Sequence, residues 1–360
     1  MFYFLTELRD AYSYLNIFRY ITFRSGMAAV TTFLLCMILG PLFIEASRRK
    51  KMQEKAKRED APSLDKFQES KEGTPTMGGL FIMGSIVVSL LLWANLSNVY
   101  VLLTLFSGVT LAILGGLDDY IKLTRKRRGL SARTKFIWQI VLAGVVGSVI
   151  YLNPLVSTDL DIPFFKNIMI ALGPFYVVWI IFVVVGASNA VNLTDGLDGL
   201  AIGCTLMVAL TLGVLSYVTG HAQFSNYLLI PYISGAGELT VVCAAVIGAS
   251  LGFLWFNCYP ASVFMGDVGS LPLGGILGTI AVCIKKEILL VILGGVFVVE
   301  AVSVIMQVAS FKMTGKRIFK MAPFHHHLQL SGWKESKIIT RFWIVAIILA
   351  IITLSTLKIR

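Results

Sequence analysis

The chain has 360 residues, of which 56% are hydrophobic and only 14% charged, with a mean hydropathy of +0.80. Soluble domains carry about 45–50% apolar and about 25% charged residues, so this composition excludes a disordered chain, a nucleic-acid-binding domain and almost any water-soluble enzyme. It points to a polytopic membrane protein, and the formal net charge of +11, which would suggest nucleic acid in a soluble chain, sits in a few loops between apolar runs and reads as topogenic.

One membrane-spanning helix needs about 20 mostly apolar residues. Ten such runs are predicted, at 25–45, 77–96, 99–117, 135–152, 170–189, 199–219, 238–256, 269–284, 288–311 and 338–357. A β-barrel would show alternating segments of about ten residues instead. The expectation is an all-α polytopic protein, a single integral membrane domain over residues 1–360. The first residues lack the basic region, short apolar core and cleavage site of a signal peptide, so the first spans must direct insertion. Five cysteines, Cys36, Cys204, Cys243, Cys258 and Cys283, form no C-x-x-C pair and read as small buried residues.

Three loops are strongly basic: residues 46–76 with nine Lys or Arg, 118–135 with seven and 312–341 with seven, together 23 of the chain's 31. With ten spans they follow spans 1, 3 and 9 and share one side, which the positive-inside rule makes cytoplasmic. Both termini are then expected outside. Lys285 and Lys286, in the turn after span 8, run against that rule. The same parity brings four polar segments, at 115–119, 189–198, 257–267 and the histidines at 325–327, to the cytoplasmic side.

The first of these closes span 3 with Asp118, Asp119 and Lys122. Adjacent helical positions face apart, so the two carboxylates are expected to have different jobs. In the second, a helix would line up Asn192, Asp195 and Asp198 at i, i+3 and i+6 on one face, able to accept hydrogen bonds from a sugar or base or to coordinate a cation. The alternative is a capped helix start with Asp195 or Asp198 as N-cap. In the third, Gly266 and Gly269 flank Asp267 and permit close backbone approach. Mg²⁺, which takes one or two protein carboxylates plus substrate phosphates, would suit Asp267, while Phe264 offers a flat face to a base. The fourth, Ala322-Pro-Phe-His325-His326-His327, lacks a zinc spacing, and consecutive histidines diverge on a helix; they read as donors to phosphate or sugar, with zinc as the rival.

Lys71, before Gly73-Thr-Pro-Thr76-Met-Gly-Gly, together with Lys122 and Lys135, could neutralise a pyrophosphate or simply serve topology. Glu300 lies mid-span, where a carboxylate is costly and should face protein or a polar cavity; Gln307, two turns on, is closer to the polar side. Gly248-x-x-x-Gly252 and Gly274-x-x-x-Gly278 predict close helix packing.

Taken in this order, Leu-Asp118-Asp119-Tyr, Asn192-Leu-Thr-Asp195-Gly-Leu-Asp198-Gly, Phe264-Met-Gly-Asp267-Val-Gly-Ser and Ala-Pro-Phe-His325-His326-His327 resemble the polyprenyl-phosphate N-acetylhexosamine-1-phosphate transferase superfamily over nearly the whole chain. The resemblance implies a Mg²⁺-dependent transfer in the bacterial cytoplasmic (inner) membrane, with the site on the cytoplasmic side. Its three-histidine form implies UDP-N-acetylmuramoyl-pentapeptide and undecaprenyl phosphate as substrates and lipid I and UMP as products. It implies Asp118, Asp119 and Asp267 as catalytic acids, with Asp267 on the metal. Asp198 and Phe264 match uracil contacts, and Lys71, Thr76, Asn192, Asp195, Asn257, Gln307, His325, His326 and His327 match other residues of the cleft. It also implies a homodimer among membrane lipid, with no nucleic acid. A transporter is the rival class, but it would place its acids near the midplane; a related transferase would use a different UDP-sugar.

Overall fold

In the computed structural model, residues 1–8, 12–50, 71, 73–125, 129–153, 157–162 and 169–358 are described. Residues 51–70 of the first basic loop and residues 126–128 of the second lie outside them. The helices are α1 (Ile21–Arg49), α2 (Gly79–Trp93), α3 (Val99–Arg125), α4 (Ala132–Leu152), α5 (Phe175–Thr194), α6 (Leu200–Thr219), the short α7 (Ala222–Leu228), α8 (Leu239–Asn257), α9 (Asp267–Cys283), α10 (Glu287–Leu293), α11 (Gly295–Thr314), the short α12 (Phe324–Gln329) and α13 (Glu335–Ser355). Eight are long and apolar enough to cross a membrane, and α2 and α9 are shorter apolar helices. Each of the ten predicted runs therefore holds an apolar helix, and the chain is an all-α polytopic membrane protein.

Of the five cysteines expected to be buried, Cys258 is exposed, and two details of the elements also differ from expectation. The ninth run is broken at Gly294 into α10 and α11. Two adjacent glycines weaken a helix there, and the side chain of Leu349 on α13 lies where a Cβ on Gly295 would reach. The loop between α4 and α5 also holds a two-stranded antiparallel ribbon, β1 (Asp159–Asp161) and β2 (Met169–Ala171), paired Leu160 to Ile170.

At 1.5 Å per residue, the 17 residues of α9 reach about 25 Å, short of the roughly 30 Å hydrocarbon layer. The length is tolerated because α9 does not face lipid: every residue from Val268 to Cys283 is buried. It is the axis of the bundle, packed against α2, α3, α5 and α6, while α8 packs against α1 and α6. Both glycine pairs lie at such contacts. A Cβ on Gly248 would overlap the Ala29 carbonyl of α1, and one on Gly274 the Ala187 carbonyl of α5. Outward positions stay apolar, as with Phe136, Ile137 and Trp138 on α4 and Ile344, Ile348 and Ile351 on α13, the surface a lipid solvent demands.

At the end of the bundle where α9 finishes, the two lysines that strain the charge rule find partners within the protein. Lys286 pairs with Asp161 at 2.8 Å, and Lys285 donates to the Asp159 carbonyl and lies 3.7 Å from the centroid of the Tyr176 ring. Burial pushes the Lys285 ammonium down to about 8, against the pull of Glu287, Asp159 and Asp161.

Candidate active site

At the other end of the bundle, α3 finishes beside the start of α9. Gly115 makes this approach possible, since a Cβ there would overlap the Asp267 carbonyl. One turn later come Asp118 and Asp119. Adjacent residues diverge by about 100° on a helix, and their outer oxygens do: Asp118 Oδ1 accepts the Leu130 N–H at 2.6 Å, and Asp119 Oδ2 accepts the Val268 N–H at 3.0 Å. Each carboxylate nevertheless offers an oxygen to a shared centre, because Asp267 comes in beside them. Ligand oxygens of Asp118, Asp119 and Asp267 lie within 4.8 Å of one another. Gly266 turns Asp267 into this place with φ of 76°, a left-handed conformation suited to glycine. Gly129 does the same for the loop, at φ of 76°, where a Cβ would crowd Asp118 Oδ1.

Two lysines close the cluster. Lys122 Nζ lies 2.7 Å from Asp118, 3.4 Å from Asp119 and 3.2 Å from Asp267. Lys135, at the start of α4, lies 3.0 Å from Asp118 and 2.9 Å from Asp267. Three ionised carboxylates against two ammoniums leave one net negative charge. An anionic substrate would be repelled there, so the cluster calls for a cation, and an all-oxygen donor set suits a hard one such as Mg²⁺. Beside Lys135 an open groove of about 490 Å³ is lined by Ala132, Arg133, Phe136, Gln139 and Asn189.

The loop from α5 to α6 departs from the predicted stripe. The helix stops at Thr194, and Asp195 is its C-cap with φ −79° and ψ 47°. Asn192 and Asp198 therefore leave in different directions. Asn192 accepts from Ser270 Oγ on α9 at 2.9 Å. Asp198 pairs with Lys71 at 2.7 Å and accepts the Ala261 N–H at 3.0 Å. The N-cap alternative fails as well, since Gly199 occupies that position of α6 without a side-chain cap. Lys71 has a second partner that sequence reasoning missed: Glu335, 2.6 Å away, which also accepts the Asp198 N–H. Burial opposes the Lys71 charge, but Glu335 and Asp198 outweigh it and hold the ammonium above its ordinary range. Glu335 gave no signal beyond that of an acid opening the last apolar helix.

Backbone pairing joins two of the motifs. The Phe264 N–H donates to the Pro75 carbonyl, and the Gly78 N–H to the Phe264 carbonyl, both at 2.8 Å. Half-buried Thr76 sits between these contacts. Asn257 is buried and spends its amide inside the protein, accepting from the Gly199 N–H and donating to the Val263 carbonyl. Gln307 likewise binds the backbone of Ile318 and Phe319. Both hold loops in place.

The three histidines go separate ways on α12. His327 Nδ1 accepts the Lys320 N–H at 3.2 Å and its ring stacks on Phe324. His326 Nδ1 lies 2.8 Å from Gln329 Oε1. His325 is fully buried, behind the loop bearing Asp195 and Asp198. Among the described residues, the group that could hold a metal is the aspartate cluster.

Comparison with known proteins follows the same segments. A Glycosyl transferase family 4 model matches residues 101–285, and phospho-N-acetylmuramoyl-pentapeptide-transferase signature 1 matches residues 71–83. The chain is 54% identical over 346 residues to a phospho-N-acetylmuramoyl-pentapeptide-transferase of Pelobacter propionicus, covering 96% of each. It is 51% identical to that of Desulforapulum autotrophicum and 52% to that of Geobacter sp., covering 100% of each chain in both cases.

Proposed function

The chain belongs to the phospho-N-acetylmuramoyl-pentapeptide-transferases, and from that premise we propose that it transfers phospho-N-acetylmuramoyl-pentapeptide from its UDP-activated form to undecaprenyl phosphate, giving lipid I and UMP. The observation that carries this reading is the cluster of Asp118, Asp119 and Asp267 interleaved with Lys122 and Lys135 at one end of a membrane bundle. A soluble nucleotide-sugar and a membrane-held phosphate meet most directly at such a surface. The basic loops support a cytoplasmic orientation of that surface, and membership of the family supports the bacterial inner membrane. The protein acts there as a single domain, as a homodimer and with both termini outside.

Phosphoryl transfer needs chiefly positioning and charge stabilisation. An oxygen of the lipid phosphate attacks the phosphorus bonded to the sugar, and the bond from that phosphorus to UMP breaks, UMP leaving with the electron pair. Lys122 and Lys135 bring positive charge to the phosphates, and the groove beside Lys135, with Arg133 and Phe136, offers charge and apolar contact to the acceptor. Asp118, fixed by the Leu130 N–H, orients Lys122 and Lys135. Asp267, with Asp118 and Asp119 beside it, would hold Mg²⁺, which when bound stabilises the pyrophosphate and the leaving UMP. Phe264 gives a face to the uracil, and Asp198 and Lys71 present polar groups to it. Thr76, Asn192, Asp195 and the histidines complete the cleft.

Purified protein should form lipid I and UMP in equal amounts from UDP-N-acetylmuramoyl-pentapeptide and undecaprenyl phosphate, and should require added Mg²⁺. Preference for another UDP-sugar under the same conditions would overturn the substrate assignment.

A further inference from the structure

Glu300 is a fully buried carboxylate on α11, in a helix otherwise suited to the bilayer. An acid in such a place is costly unless something uses it. Its partner is the start of α12. Both carboxylate oxygens face the His325 N–H, at 3.2 and 3.3 Å. Oε2 also lies 3.1 Å from Nδ1 of the same ring, off the line of a good hydrogen bond but close enough to favour the form with a proton on Nδ1. Glu300 therefore meets one residue twice, by hydrogen bonds to its backbone and by a close approach to a ring nitrogen that has no hydrogen-bond partner of its own.

That ring has a defined destination. His325 is itself fully buried, and its Nε2 has no hydrogen-bond partner among the described residues. It is aimed at Gly196, where a Cβ would overlap Nε2. Gly196 is exposed on its other side and lies between Asp195 and Asp198. The chain of contact thus runs from Glu300 through the imidazole to the backbone of the loop that carries both aspartates.

We propose that Glu300 is a positioning residue: it fixes His325 against Gly196 and so sets the loop of residues 192–198 for binding the donor nucleotide-sugar. This rests on the function proposed above. Glu300 itself touches no reacting atom. Its effect should therefore fall on donor binding more than on the chemical step, and leave the lipid acceptor alone.

Three measurements on the full chain in detergent test this. Glu300→Gln keeps the shape and an acceptor but loses the charge; it should raise KM for the UDP-sugar about tenfold, the low end of the cost of losing a residue that orients a metal-ligating histidine, with kcat and the lipid KM nearly unchanged. Nitrogen-15 NMR of labelled histidine should show Nδ1 of His325 protonated in the parent protein and its signals displaced in Glu300→Gln. Gly196→Ala should weaken binding of the probe UMP strongly in the parent and much less in a His325→Ala background, where space has been made. The size exchange tests the contact of His325 with Gly196 whether or not Glu300→Gln folds, and the histidine signals test its dependence on Glu300. An unchanged donor KM and His325 signal in Glu300→Gln would overturn the proposal, as would equal cost of Gly196→Ala in both backgrounds. If the parent protein neither bound UMP nor turned over the UDP-sugar, the functional reading itself would fall.

Discussion

Asp118 and Asp119 share a helix turn, yet each spends one oxygen differently, on the Leu130 N–H and on the Val268 N–H. The first contact locks Asp118 to the loop leading into α4, and the second ties Asp119 to the start of α9. This bears on whether Asp118 acts as a base. A phosphate monoester loses its second proton near pH ~6, whereas an ordinary aspartate titrates near ~3.9, so at pH 7 the lipid phosphate is already mostly a dianion. With both oxygens of Asp118 held by an amide and two ammoniums, positioning is the role that fits. We expect Asp118→Asn to lose activity by a nearly constant factor from pH 6 to 9. Recovery that climbs steeply as pH passes the phosphate value would instead mark Asp118 as a base. The residues of this centre were legible because carboxylates closing apolar spans are conspicuous. Glu335 and the carboxylate contact of His325 were not, since each depends on how separate segments of the chain fold against one another.

Among the elements, α9 and α8 owe their places to glycine. Small residues let backbones approach where lipid supplies no hydrophobic drive between helices. Gly248 of α8 meets the backbone of Ala29, which no rotamer change can relieve, whereas Gly84 on α2 faces open space. Gly248→Leu should therefore lower stability by about 3 kcal/mol or block assembly, while Gly84→Ala should be close to neutral; thermal unfolding in detergent measures both. Equal tolerance of the two would remove the tight contact of α1 with α8. The helices and these contacts could be read from apolar runs and G-x-x-x-G spacing. The break at Gly294 and the ribbon of β1 and β2 could not, because an apolar window averages over a helix break and three-residue strands have too little pattern to register. The predicted stripe of Asn192, Asp195 and Asp198 failed for a related reason: the helix ends at Thr194, before the second member.

At the scale of the molecule, the ends of α3, α5 and α8 and the starts of α4, α6 and α9 carry the polar residues of the site, and the buried lysines 285 and 286 lie at the opposite end. In the proposed topology the basic loops put the first end in the cytoplasm. Reporters placed near residue 60 and after Arg360 should then read opposite sides of the membrane; the same side for both would break the ten-helix topology. The central claim is narrower: the transfer occurs at the acidic cluster where α3 meets α9. Asp267→Asn tests it most directly, because the change keeps the size of a side chain that two lysines contact while removing its charge. Lipid I formation by the purified variant should be lost at ordinary Mg²⁺, with UMP binding and thermal stability retained. Lipid I formation at the parent rate would contradict the assignment of the site.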